Sequence, residues 1–289
     1  MRFAPCIEER DMWYIISIIF GALVGSFLNV CIFRLPKEES IIWPGSHCPR
    51  CKKPINFYDN IPLISYLLLR GKCRYCKKPI SFQYPLIEGI TALCSLFLIM
   101  RFGPSLSYLI YFAFVAALIV ITVIDLYHQI IPDVISLPGI GAGLLASWFL
   151  PNPSFLDSLL RFLVFQASRI GVNLITHISF VDGLLGFLLG GASLFLVMQL
   201  YFYLRKSEGM GGGDIKLLAM IGAFLGWKAV ILTILLSSLI GSIVGITIMI
   251  WKGKDLKYAI PFGPFLSLGA VVALFYQNEI ISWYLQVKG

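Results

Sequence analysis

The feature that most limits what this chain can become is a repeated one. From Trp13 to Phe33 run twenty-one residues without a charge, WYIISIIFGALVGSFLNVCIF, and comparable apolar runs recur towards the C-terminal end. About 20 apolar residues is the length at which an α-helix crosses the hydrocarbon core of a bilayer. Charge is correspondingly scarce, at 13% of the 289 residues, while 58% are hydrophobic. A water-soluble domain of this size carries roughly twice that share of charge. The expected fold class is therefore an all-α polytopic membrane protein. The first run is too long for a signal-peptide core and lacks a small-residue cleavage site, so it is read as retained.

Pro and Gly punctuation then spaces the helices. With breaks at Gly103, Pro104, Pro132, Asp133, Pro151, Pro153, Pro261 and Gly263, helices are expected near 13–33, 84–101, 105–124, 134–150, 181–204, 214–226, 228–250 and 259–284. That is about eight crossings. The segment 151–180 fits poorly, since its helical apolar spacing is interrupted by Asp157, Arg161, Arg169 and His177. It is expected to be an amphipathic helix lying on the outer interface.

Net charge is +8, and its placement argues against a nucleic-acid partner. Ten basic residues against three acidic ones lie between Arg34 and Tyr84, nearly the whole excess in one loop. Basic loops stay on the cytoplasmic side, so this loop is expected inside and the N-terminus outside. The expected domains are 1–33, the N-terminal segment with the first crossing; 34–83, the cytoplasmic loop; and 84–289, the remaining membrane domain, with 151–180 as its insert. The same topology sets Asp125 and Asp214 at the cytoplasmic membrane surface.

Ionisable groups at membrane depth are costly and mark function by default. Glu88, Asp125, Asp133, Asp182 and Asp214 qualify. A helix cap is the ordinary use of an Asp at a helix start, and it is the reading taken for Asp133 in IPDVIS and Asp182 in SFVDGLLG. For Glu88, an internal hydrogen bond and a functional role stand level. Asp125 ends a long apolar helix, where the dipole disfavours a carboxylate and a cap of that helix gives no account of it. Asp214 follows the run GMGGG, whose glycines allow unusual backbone geometry and close approach of another chain. Gly211 and Gly213 are accordingly read as an active-site loop. Two carboxylates at one depth, 89 positions apart in sequence, hold one proton between them if they meet. That is the chemistry of an aspartyl protease.

Cys48, Cys51, Cys73 and Cys76 form two CxxC pairs separated by 21 residues. Two such knuckles close a tetrahedral thiolate site for a structural zinc ion in a loop with too little core to fold by itself. Disulfides are disfavoured in a cytoplasmic loop; a redox CxxC is the rival reading, and His47 is a possible replacement ligand. Cys6, Cys31 and Cys94 are read as ordinary apolar residues.

The runs GALVGSFLNVCIFRLP (21–36), FYDNIPLISYLLLRGKC with its flanking cysteines, ISFQYPLIEGITAL (80–93), VIDLYHQIIPD (123–133) and GMGGGDIKLLAMIGAFLG (209–226) occur in one order across most of the chain. Together they resemble the prepilin peptidase, or type IV leader peptidase, family, in its bifunctional form with a tetra-cysteine loop. The resemblance implies a multi-pass aspartyl endopeptidase of the bacterial inner membrane. It would cut the leader from type IV prepilins, or from the pseudopilins of type II secretion, at the cytoplasmic face. It implies Asp125 and Asp214 as the catalytic pair, and methylation of the new N-terminus with S-adenosylmethionine. No cofactor-binding residue follows from the motifs, Glu88 being the one candidate. The 151–180 insert is longer than the family's usual link. The rival readings are a proton-coupled transporter, whose acids relay protons, and a non-catalytic zinc-loop scaffold for pilus or secretion assembly. The bilayer itself is the remaining expected partner.

Overall fold

The computed structural model describes residues 9–150, 171–206, 211–252 and 260–287. Helices dominate: α1 (Glu9–Arg34), α2 (Ile64–Leu68), α3 (Gln83–Phe102), α4 (Leu106–His128), α5 (Asp133–Phe149), α6 (Gly171–Arg205), α7 (Gly212–Leu225), α8 (Trp227–Lys252) and α9 (Gly263–Val287). No strand occurs among the described residues. Six helices are long and apolar enough to cross a membrane: α1, α3, α4, α6, α8 and α9. Helix α5 is a shorter apolar helix of 17 residues, and α7 has 14. At about 1.5 Å per residue α7 is roughly 21 Å long, less than a hydrocarbon core of about 30 Å. The count of eight crossings is thus an approximate one, while the eight expected helices correspond to α1 and α3 to α9.

The chain divides into two compact units, Met1–Val120 and Ile121–Gly289, and the division falls inside α4. In the first unit α1 packs along α3. The approach is close because glycine faces backbone: a Cβ on Gly25 would lie 2.8 Å from the Cα of Glu88. In lipid, where apolar attraction between helices is absent, such small-residue contacts and buried hydrogen bonds hold helices together. The Ser95 hydroxyl supplies one, donating to the Ser17 carbonyl at 2.7 Å and lying 2.7 Å from the Tyr108 hydroxyl.

Between α1 and α3 the loop contains two short 3₁₀ turns, α2, and two bridged knuckles. His47 pairs with Pro54 and Lys72 with Pro79 in antiparallel bridges.

In the second unit α7 is the central element, packed by α5, α6, α8 and α9 and buried continuously from Leu217 to Leu225. Gly222 of α7 faces Gly186 of α6 backbone to backbone. Between α5 and α6, Trp148 meets Phe180 edge-on, ring centroids 5.6 Å apart.

Helix α6 changes one expectation. The boundary placed at 180 does not exist as a break, because α6 begins at Gly171 and runs through it. The rest of the expected interfacial helix, 151–170, lies outside the described residues. Asp182, read as a helix cap, is in the interior of α6 and buried, so the cap reading fails there. Its surroundings are the α7–α8 junction, where Gly226 adopts φ +81 beside it.

Candidate active site

Helix α4 carries its apolar stripe down to Ile124, fully buried, and then presents Asp125, 5% exposed. Three residues later the helix stops: Gln129 takes φ 54 and donates its N–H to the Asp125 carbonyl at 2.9 Å. A left-handed residue that closes the last turn is an ordinary helix ending. The carboxylate serves another helix. Asp125 Oδ2 accepts the backbone N–H of Gly263, the first residue of α9, at 2.9 Å. Asp125 therefore satisfies one of the unpaired N–H groups at the start of α9. Sequence reading missed Gly263 as part of the site, using it only as a helix break. The available signal was IPFGP at 260–264: a glycine between two prolines at a helix start. A Cβ at Gly263 would sit 2.6 Å from Asp125 Oδ2, so only glycine admits the carboxylate.

Asp214 is the third residue of α7, in its first turn. The helix N-cap is Gly211, with no side-chain cap bond, so Asp214 is half-buried next to the positive end of the helix dipole rather than acting as the cap. None of Gly211, Gly212 and Gly213 has a positive φ. The expected need for unusual backbone geometry is therefore absent. The need is steric at one position, Gly213, where a Cβ would lie 2.8 Å from the Cβ of Ile131. Gly211 and Gly212 are exposed with open space where a side chain would stand. Bare backbone thus lies immediately before the acid.

Asp125 and Asp214, separated in sequence by the whole of α5 and α6, lie within direct electrostatic range of each other. Both belong to the second unit. Asp133, read as a cap, begins α5 but sends its carboxylate to Lys216, two residues after Asp214, at 2.7 and 2.8 Å. That exposed pair ties the start of α5 to the start of α7.

The four cysteines of the first unit come together. Every pair of Sγ atoms of Cys48, Cys51, Cys73 and Cys76 is within 4.8 Å, and Cys48 and Cys76 are 3.9 Å apart. Zn–S bonds of about 2.3 Å in a tetrahedron set sulfurs about 3.8 Å apart, whereas a disulfide requires about 2.05 Å. The cluster has the donor set and spacing to hold a metal ion. Its two halves are built alike. In CPRCKKP the N–H of Lys52 donates to Cys48 O at 2.9 Å and that of Cys48 to Lys53 O at 3.0 Å. In CRYCKKP the N–H of Lys77 donates to Cys73 O at 3.0 Å and that of Cys73 to Lys78 O at 2.9 Å. Lys52 and Lys77 both sit near φ +58 (59 and 57). Backbone N–H groups of Cys76 and Tyr75 favour the Cys73 thiolate, drawing its thiol down to about 7. His47 takes no place in the cluster; its Nδ1 lies 3.1 Å from the Gly45 carbonyl.

Glu88 is buried in α3, and its carboxylate is engaged internally. Oε2 accepts the N–H of Leu63 at 2.7 Å, and the Ser26 hydroxyl bonds the same group.

Two family models cover most of the chain. Residues 19–102 match the bacterial peptidase A24 N-terminal domain, and residues 112–246, which include both aspartates, match the type IV leader peptidase family. The chain belongs to the type IV leader peptidase family. Full-length relatives agree. A protein of Pseudomonas aeruginosa named prepilin leader peptidase/N-methyltransferase is 37% identical, with 94% of this chain and 93% of the relative covered. Namesakes from Pseudomonas putida, at 33% over 97% of this chain and 96% of the relative, and Xanthomonas campestris, at 35% over 93% of each, are similar in the same way. No solved structure matches the chain. This leader peptidase is a multi-pass membrane protein by its six long apolar helices.

Proposed function

We propose that the chain is a prepilin leader peptidase and N-methyltransferase in which Asp125 and Asp214 carry out the cleavage. The observation that carries the reading is the electrostatic interaction between those two carboxylates, on helices that sequence separates widely. Family membership and the names of the relatives favour this over a carrier or a scaffold.

One carboxylate of the pair is ionised and the other protonated, and the proton belongs to the pair. The ionised member takes a proton from water as the water oxygen adds to the scissile carbonyl carbon. The protonated member donates to the carbonyl oxygen, where negative charge develops. On collapse the carboxyl that took the water proton gives it to the leaving nitrogen as the C–N bond breaks, and a hydroxyl of the diol returns its proton to the other carboxylate, so the pair ends with its one shared proton. Gly263 N–H fixes the orientation of the Asp125 carboxylate. The exposed backbone of Gly211 and Gly212 gives an extended substrate room beside Asp214. The substrate is a prepilin or pseudopilin whose apolar helix shares the bilayer. Its cleavage point lies at the cytoplasmic surface of the inner membrane, in keeping with a basic loop on that side.

The thiolate cluster holds zinc, which supplies structural cross-linking to a loop of few buried apolar residues. The domains follow the same division of labour: 1–33 enters the membrane, 34–83 is the metal loop, and 84–289 carries the peptidase.

The second activity uses S-adenosylmethionine as methyl donor. Glu88 does not fit as its ligand here, since both of its hydrogen bonds are internal.

The test is cleavage of a purified prepilin in detergent or nanodiscs, with mass spectrometry of the new N-terminus. Shortening at one bond, lost on either Asp125→Asn or Asp214→Asn in folded protein, supports the pair. Normal cleavage by either variant removes it.

A further inference from the structure

Helix α2 turns an apolar face outward. Ile64, Leu67 and Leu68 are 54%, 74% and 79% exposed, and their i, i+3, i+4 spacing puts them on one side of the helix. Ser65, on the other side, is buried and holds the segment, accepting the N–H of Ile61 at 3.1 Å and donating to the Tyr58 carbonyl at 2.9 Å.

The position of this face follows from Glu88. Glu88 is the sixth residue of α3, a helix of membrane-crossing length, and it packs opposite Gly25 of α1. Helical side chains lean towards the helix N-terminus, so its carboxylate lies level with the first turns of that span. The Leu63 N–H is 2.7 Å from it, and α2 begins at the next residue. Leu63 has φ 60 and ψ −49, and the Ile64 N–H returns to the Pro62 carbonyl at 2.6 Å. That is a strained γ-turn, and it bends the loop back to the level where the membrane helices end. The exposed face is followed at once by Arg70 and Lys72, both exposed, within the loop that holds most of the chain's positive charge.

We propose that α2 is an interfacial anchor: Ile64, Leu67 and Leu68 enter the boundary between headgroups and acyl chains of an anionic leaflet, and Arg70 and Lys72 bind lipid phosphate. The charge selects the occupant. A second copy of this chain would bring the same basic loop and be repelled, whereas anionic headgroups attract it. The anchor stands independently of the peptidase reading.

The experiment places benzoylphenylalanine at position 68, and separately at 67, of the full-length protein in nanodiscs of phosphatidylglycerol or phosphatidylcholine. Illumination should give lipid adducts at both positions, as at the control position Leu23 on the exposed face of α1. Arg70→Gln should cut the preference for phosphatidylglycerol roughly fivefold. Adducts to protein, to an added pilin, or none where Leu23 labels, overturn the anchor. Hydroxyl-radical footprinting of the unmodified protein supplies an independent reading. Leu67 and Leu68 should be shielded in nanodiscs while Trp43, 78% exposed, is oxidised; equal oxidation overturns the proposal.

Discussion

The tetra-cysteine knuckles and the aspartate pair both bring side chains of one chemical kind into a small space, by opposite routes. Each knuckle is local: two cysteines three positions apart, a residue near φ +58, and the same pair of backbone bonds in both copies. The acids are not local. Asp125 ends α4, Asp214 opens α7, and Gly263 of α9 fixes the first of them. A motif that folds within a few residues can be read in advance. A site drawn from three helix ends depends on the packing of everything between them.

That contrast can be broken most forcefully at the metal. Structural zinc contributes about 10 kcal/mol or more to small domains, so Cys73→Ser should take the metal content from about one ion per chain to near zero. Limited proteolysis should then cut within 34–83. Cleavage of prepilin should fall far less than in either aspartate variant, because the acids lie in the other unit. A metal-replete Cys73→Ser protein would show that the knuckles are not a ligand set.

Next in size is the loss of either acid. Asp125→Asn or Asp214→Asn should lower kcat at least about a thousandfold, the scale for members of a catalytic set that act together. Thermal unfolding of the purified protein should show the fold retained. Gly263→Ala tests whether the third helix end matters. Its methyl group would crowd the Asp125 carboxylate, and a displacement of about 1 Å at a reacting group costs on the order of a hundredfold. Wild-type turnover in that variant would make the α9 contact incidental.

The smallest effect lies back in the loop. Arg74 grips Asp59 with two bonds, at 2.7 and 2.6 Å, and this holds the Asp59 carboxyl below its ordinary value. Its stabilisation is therefore present above the ordinary aspartate range and is lost as pH falls through the lowered value. At neutral pH Arg74→Gln should cost little, because exposed ion pairs are screened by solvent. At pH 3 the difference from wild type should narrow, as measured by denaturant unfolding.

Much of the fold was legible because membrane helices declare themselves by length and apolarity. The eight expected helices correspond to observed ones, with ends shifted by a few residues except at α6. That helix absorbed the expected boundary at 180 because nothing in SFVDGLLG forces a break, and Asp182 is carried in its interior. Asp133 was recognised at a helix start, but its partner Lys216 is 83 residues away and had no local signal. Glu88 could be singled out by its cost in a membrane, though not joined to Leu63.

Sequence alone determined the class of molecule, the spacing of the cysteines and which acids stand out at membrane depth, since each follows from a count along the chain: length to span lipid, intervals that place thiols, charge where charge is expensive. Tertiary structure decided which helix end each carboxylate meets, that Gly263 of α9 donates to Asp125, and that the loop folds back beside Glu88. Those are contacts between residues far apart in sequence, and only the packing of the helices between them sets which atoms arrive together.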